Sequence, residues 1–191
     1  MGGWARRAQQ VVQKGYTLIE LVVVVSIISV MVMIGVPFFS AMMQNSRLDA
    51  ATRQLAGDVR EARSKATLTG WQYRISGGNA GGSASYKGQY RLMGRSSAAV
   101  AWPADTSPNF NFPTPPAGAT QMAGPWIDFN QLYPGVNLNP SIANVSFYVS
   151  FNSQGVAFEW NPTSDPWMSV TQSSGSSRLL RITSAGSVKI Q

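Results

Sequence analysis

The sequence predicts an α+β protein in which one long N-terminal helix, apolar in its first half, is packed through its second half on an antiparallel β-sheet domain. Three observations carry this expectation. From Leu21 to Phe39 the chain holds no charged residue. Leu48, Ala51, Leu55, Val59, Ala62 and Ala66 then recur at spacings of three or four, which places them on one helical stripe. Directly after Gly70 the apolar period drops to two, the period of a half-buried strand.

The apolar run comes first. Its roughly 19 residues at about 1.5 Å rise give a helix of about 28 Å, close to the hydrocarbon thickness of a bilayer. Arg6, Arg7 and Lys14 precede it with no acidic residue among them, so the positive charge holds the N-terminus in the cytoplasm and sends the rest outward. Glu20 stands at the edge of this run, and a carboxylate at membrane depth costs several kcal/mol unless something pairs with it. A cleaved secretory signal does not fit, since no small-x-small site follows a short apolar core. An ordinary signal anchor with an isolated Glu remains the plain alternative.

Gly15-Tyr16-Thr17-Leu18-Ile19-Glu20 followed by this run resembles the class III signal of type IV prepilins and pseudopilins. The resemblance implies that a prepilin peptidase cuts after Gly15 and that Tyr16 becomes a methylated N-terminus, at a position where most members have Phe. It also implies that Glu20 pairs with the terminal amine of a neighbouring subunit during assembly. The chemistry agrees, because an amine freed at Tyr16 supplies the positive charge that a buried Glu20 lacks. On this reading residues 1–15 are a leader, 16–70 a long helix with its membrane-spanning part at about 18–39, and 71–191 an extracytoplasmic β-rich domain.

Composition narrows the chemistry. The chain of 191 residues contains no Cys and no His, and only eight carboxylates. Disulfides, thiol nucleophiles, Ser-His-Asp and Cys-His catalysis and nearly all zinc sites are thereby removed, so neither an enzyme, a cofactor nor a metal is expected. The net charge of +7 is uneven. Residues 41–95 hold nine Lys and Arg against three Asp and Glu, 96–177 hold none against four, and 178–191 hold three against none. Such a split marks either ordinary solvated faces or a surface for a polyanion.

Along the helix, Gly35 and Pro37 predict a kink or loosened stretch at 34–38. Arg47, Asp49, Arg53, Asp58, Arg60, Glu61, Arg63 and Lys65 fill the positions off the apolar stripe and read as a water-facing side, with Asp49–Arg53 and Glu61–Lys65 in favourable i,i+4 order. Gly70 reads as the C-terminal cap of a helix ending near Thr69. The strings Asn45-Ser46-Arg47-Leu48, Gln54-Leu55-Ala56 and Ala62-Arg63-Ser64-Lys65-Ala66 resemble the GspH/FimT branch of minor pilins and pseudopilins, with Lys65 where members usually have Glu.

Beyond Gly70, the alternations Trp71-Tyr73-Ile75 and Tyr86-Gly88-Tyr90-Leu92 predict a hairpin joined by the glycine-rich 77–84, whose polar face gathers Arg74, Lys87 and Arg91. A phosphate cradle in that loop finds no support, because no Gly-Lys-Ser/Thr ending and no following helix accompany it. Residues 94–144 carry eight prolines and read as loop with short strands, the best at 126–129; Trp102, Phe110, Phe112, Trp126 and Tyr133 within them are expected to cover the sheet or meet a partner. Alternation returns at 145–151, 156–160, 167–171, 179–183 and 188–190, as antiparallel meanders. The stretch 147–155 and Arg181-Ile182-Thr183-Ser184-Ala185-Gly186 resemble the closing signature of the same branch, with Ser187 where an arginine is usual.

The family resemblance implies a non-enzymatic minor pilin or pseudopilin held in the bacterial inner membrane with its C-terminus on the periplasmic side. Its partners would be prepilin peptidase and other pilin or pseudopilin subunits, with which it primes or caps a type IV pilus or a type II secretion pseudopilus. Two alternatives stand beside this reading. One is a major pilin, whose usual C-terminal disulfide loop the absence of cysteine forbids; the other is a DNA receptor for natural transformation, in which Arg178, Arg181 and Lys189 would contact nucleic acid.

Overall fold

The computed structural model describes residues 15–77, 88–104, 107, 117–140, 147–161 and 167–191. Helix α1 spans Leu18–Thr69, and the chain divides into two compact units, Met1–Ala41 and Met42–Gln191, each of which takes part of that helix. In the first unit α1 continues without interruption through Gly35 and Pro37, so the expected loosening at 34–38 is not present. A helix can carry a proline at the cost of the one bond its missing N–H would make and of crowding against the preceding turn.

In the second unit the stripe of α1 is the centre of the core. Leu48, Ala51, Leu55, Val59, Ala62 and Ala66 are all fully buried, joined by Ala56. Gly70, at φ +75, ends the helix, its N–H donating to Ala66 O at 3.1 Å. Against this stripe lie two antiparallel sheets. The first orders β3 (Gln121–Ala123), β2 (Gln89–Arg95), β1 (Gln72–Gly77), β6 (Phe147–Phe151) and β7 (Ala157–Asn161), with β4 (Ile127–Asp128) also on β2. The second orders β10 (Val188–Ile190), β9 (Ser177–Ile182), β8 (Trp167–Gln172) and β5 (Val136–Pro140). A short helix α2 (Phe129–Leu132) is capped by the Asp128 side chain, which accepts from Asn130 N and Gln131 N.

The alternating positions face α1 as their period requires: Tyr73 and Ile75 from β1, Phe147, Val149 and Phe151 from β6, Val170 from β8, Leu180 and Ile182 from β9. The expected hairpin forms, with Gln72 opposite Arg95 and Gly77 opposite Tyr90; residues 78–87, with Lys87 and most of the glycine-rich loop, lie outside the described residues. The C-terminal strands pair antiparallel with their neighbours in sequence, as expected, but are shared between the two sheets. β6 and β7 belong to the first sheet and β8 to β10 to the second, and the two are tied at their turns by Ala157 N donating to Ser184 O at 3.1 Å.

Arg63 explains that junction. Assigned by pattern to the water-facing side, it instead donates from Nε to Gly155 O at 2.9 Å. A Cβ at Gly186 (φ +76) would come 2.5 Å from Gly155 O and 2.9 Å from Arg63 Nε, so the turn before β10 accepts only glycine and brings its backbone against the arginine. Asp58 also departs from the expected solvent side: its carboxylate accepts from the Tyr90 hydroxyl, while Tyr133 Oη donates to Gln54 Oε1 at 2.6 Å beside it. Burial pushes the Asp58 carboxyl above the ordinary range, partly opposed by the Tyr90 bond, with the nearby Glu61 charge adding to the rise.

A group bound to its proton more tightly when folded contributes stability that is complete below the ordinary carboxylate pKa and is lost as pH rises through the raised value. Asp58→Asn keeps an acceptor for Tyr90 and removes the titration. The melting temperature of the variant relative to wild type should therefore be higher at pH 7 than at pH 4; a difference independent of pH would show that Asp58 does not titrate in that interval.

Three aromatic residues of the proline-rich stretch cover the sheet as expected. Tyr133 packs on Phe129 with ring centroids 5.9 Å apart, and Phe129 on Tyr90 at 5.2 Å. On the other face of the first sheet, Trp102 lies between the Arg74 and Arg95 guanidiniums, at 4.1 and 4.3 Å from its ring centroid, and Trp126 lies under Arg91 at 4.7 Å. Phe110 and Phe112 fall outside the described residues.

Candidate assembly segment and the basic residues of the domain

Between Lys14 and Arg47 the only charged side chain is Glu20. The described part of this segment opens with Gly15, Tyr16 and Thr17, and Thr17 caps α1. Its Oγ1 accepts from Glu20 N at 3.3 Å and its carbonyl from Leu21 N at 3.2 Å. Thr17-x-x-Glu20 is the spacing of a capping box, a signal present in the sequence and masked by the apolar run that follows it. The cap fixes where the helix begins, at Leu18, three residues beyond Gly15, and leaves Gly15 and Tyr16 in non-helical backbone just ahead of the first turn.

From Tyr16 to Met43 the apolar side chains are exposed, with Tyr16 at 85% and Leu18 at 83%. Exposure of such a length of apolar surface has no stable solution in water. By length and composition this part of α1 is able to cross a membrane. Two of its serines fit that setting: Ser26 Oγ donates to Val22 O at 2.7 Å and Ser29 Oγ to Val25 O at 2.8 Å, leaving neither of these hydroxyl donors unsatisfied in an apolar surround.

The family model described as the prokaryotic N-terminal methylation motif matches residues 12–36, from Val12 through the cap and Glu20 into the apolar run. Residues 12–36 of the chain carry this motif. A comparison with curated protein sequences finds no match. Among solved structures, the chain is similar to the type IV minor pilin FimU of Pseudomonas aeruginosa (strain PAO1) in two crystal forms. One gives a TM-score of 0.45 at 14% identity, covering 78% of this chain and 92% of that one. The other gives 0.43 at 14% identity, covering 75% and 92%.

The C-terminal basic residues do not form one cluster. Arg178 donates from Nε to Asp49 Oδ1 of α1 at 3.0 Å, so Asp49 is taken by a strand residue and not by Arg53 as the helical spacing implies. Arg181 and Lys189 are register partners on β9 and β10 and both are exposed. Three residues separate Arg178 from Arg181 on one strand, which puts them on opposite faces. The described hairpin cations are committed too: Arg74 pairs with Glu159, and the fully buried Arg91 donates to the Ala104 carbonyl. Glu159 serves several donors at once, accepting from Trp102 Nε1 at 3.3 Å with Arg95 Nη2 at 4.0 Å. Burial lowers the Arg74 pKa, and the Glu159 charge opposes that shift. Among the described residues no group of three or more His, Cys, Asp or Glu is placed to hold a metal ion.

Proposed function

We propose that the protein is a minor pilin or pseudopilin: a subunit without enzymatic chemistry, cleaved after Gly15 by prepilin peptidase, held in the inner membrane by the apolar part of α1, and then packed through that part into a type IV pilus or a type II secretion pseudopilus. One observation carries the reading. A single carboxylate, Glu20, lies in an otherwise uncharged and exposed helical segment immediately beyond a glycine, inside the matched methylation motif. Neither a soluble domain nor a simple anchor has use for that charge, whereas a bundle of such helices presents each Glu20 with a neighbour's terminal amine. The domain stays outside the cytoplasm and gives the subunit its individual surface.

The test is to shear surface filaments from the source cells and to isolate secretion pseudopili separately, then quantify this chain in each by mass spectrometry. Recovery in either assembly at a small fraction of the major subunit supports a minor role and chooses between the two machines. Abundance equal to the main subunit makes it a major pilin, and absence from both while the protein is present in the membrane removes the assembly reading. DNA binding for uptake is less well supported, because Arg178 is tied to Asp49 and leaves only Arg181 and Lys189 together.

A further inference from the structure

A hollow of about 140 Å³ opens between α1 and strands β2 and β4 of the first sheet. Its carbon lining comes from Ile75, Leu92, Pro125 and Ile127. Asp58 and Glu61, three residues apart and so neighbours on the helix surface, bring two carboxylates to the same space. An apolar cavity of about 150 Å³ holds one benzene molecule, so this one has room for a single side chain and not for a folded segment. A concave apolar space on which ionisable groups converge has the features of a binding site rather than of a packing fault.

The fold by itself does not explain the charge at Asp58. The carboxylate accepts from the Tyr90 hydroxyl, and an asparagine oxygen would accept that bond without bringing a charge into a partly buried place. Burial and the neighbouring Glu61 both act against ionisation of Asp58. A cation brought into the hollow from outside opposes both effects, because it pairs with the two carboxylates together.

Geometry selects the cation. Tyr90 donates to Asp58 Oδ2, and Lys65 Nζ lies 3.0 Å from Glu61 Oε1. Neither carboxylate therefore offers both oxygens to the planar fork of a guanidinium, whereas an ammonium, a compact point charge, bonds one oxygen of each. A divalent ion fits poorly, because calcium takes about 6–8 oxygen ligands and the walls here are carbon. Such walls suit the methylene stem of a lysine, which packs on apolar surface while its charged end reaches a polar site. A free alkylamine shares this chemistry but bears the whole loss of translational freedom for a few contacts; a lysine carried by a docked protein does not.

We infer that this hollow receives a lysine side chain of a neighbouring subunit, with its ammonium between Asp58 and Glu61 and its stem against Leu92, Pro125 and Ile127. The inference rests on the assembly reading above and extends it, because it names a socket in the domain for a contact that the apolar part of α1 does not make.

The closing experiment uses the full chain in the membranes of its source cells. A zero-length carbodiimide joins a carboxylate to an amine in direct contact, and the joined peptides are identified by mass spectrometry. Coupling of Glu61 to Lys65 within the chain shows that the reagent has reached the site. The expected result is coupling of Asp58 or Glu61 to a lysine of a second polypeptide. Ile127→Trp fills the hollow from one wall, and Pro125→Lys gives the hollow an ammonium of its own. Each should lower the coupling between polypeptides by about tenfold or more. Pro125 is exposed, so its variant still decides the matter where Ile127→Trp fails to fold. A second arm offers butylamine and ethanolamine at equal concentration, with the same reagent, to the full chain purified in detergent. Butylamide at Asp58 or Glu61 should exceed ethanolamide, since only butylamine has the stem.

Absence of coupling between polypeptides while Glu61 couples to Lys65 overturns the inference, as does coupling undiminished in the folded variants. Equal yields of the two amides overturn the apolar socket. Selective butylamide without lysine coupling in membranes assigns the hollow to a free amine and overturns the subunit as its source. Because coupling is read in whole membranes, absence of the chain from filaments with coupling retained counts against the assembly reading and leaves the lysine socket standing.

Discussion

Leu55→Asp should unfold the domain. Leu55 is fully buried at the middle of the α1 stripe, in one cluster with residues of both sheets. Removing its apolar contacts alone costs about 2–5 kcal/mol, as for other large core side chains truncated without refilling. An aspartate at the same place adds an unpaired carboxylate without a hydrogen-bonding partner, worth several kcal/mol more or a strongly raised pKa. The total is comparable with the stability of an ordinary domain, about 5–15 kcal/mol. A fragment starting at Met42 contains the whole cluster and lacks the apolar anchor, so its melting can be followed in water. Wild-type fragment should melt cooperatively and the variant should show no transition; a variant with an unchanged melting temperature would mean that the stripe is not the core.

The second large effect concerns assembly. Glu20→Ala removes the only charge between Lys14 and Arg47. Membrane insertion should become easier, since a carboxylate at that depth is costly, and the cap at Thr17 persists because it uses the Glu20 backbone N–H and not its side chain. The domain core is untouched. The variant should therefore be produced, processed and membrane-held at wild-type levels while its amount in filaments falls by at least tenfold, the loss expected when one partner of a desolvated charge pair is removed. Immunodetection in membrane and filament fractions separates the two quantities. Wild-type incorporation would show that Glu20 has no part in assembly.

The contrast between α1 and the proline-rich region shows what the sequence made legible. The stripe from Leu48 to Ala66 is readable because a helix repeats its buried positions every three or four residues, and all six positions are buried. The strands at 147–151 and 188–190 are readable for the same reason at period two. β3 is only Gln121–Ala123, too short to establish any period. β5 has the alternation Val136-Asn137-Leu138-Asn139, but Pro134 and Pro140 argue against a strand. A strand nevertheless forms there, because β5 lies at the edge of its sheet, where a missing N–H costs no ladder bond.

The polar positions of α1 mislead for another reason. Charge marks a side chain as polar without saying what it meets, and Asp58 meets Tyr90 while Arg63 meets Gly155, both distant in sequence. The same holds for the basic residues. Arg178, Arg181 and Lys189 are close in sequence, yet strand alternation and the reach of Arg178 to Asp49 separate the first from the other two. The motif matched at 12–36 is legible because it is local: a glycine and one carboxylate within six residues, 15–20, ahead of an uncharged run.

The central claim is that residues 1–15 are removed and that the new terminus at Tyr16 serves assembly. Peptide mass spectrometry of the protein purified from its own membranes tests this directly. The account predicts a mature chain whose first residue is Tyr16, carrying an N-methyl group. A chain that retains Gly15 and the residues before it, in cells with an active prepilin peptidase, would contradict the account.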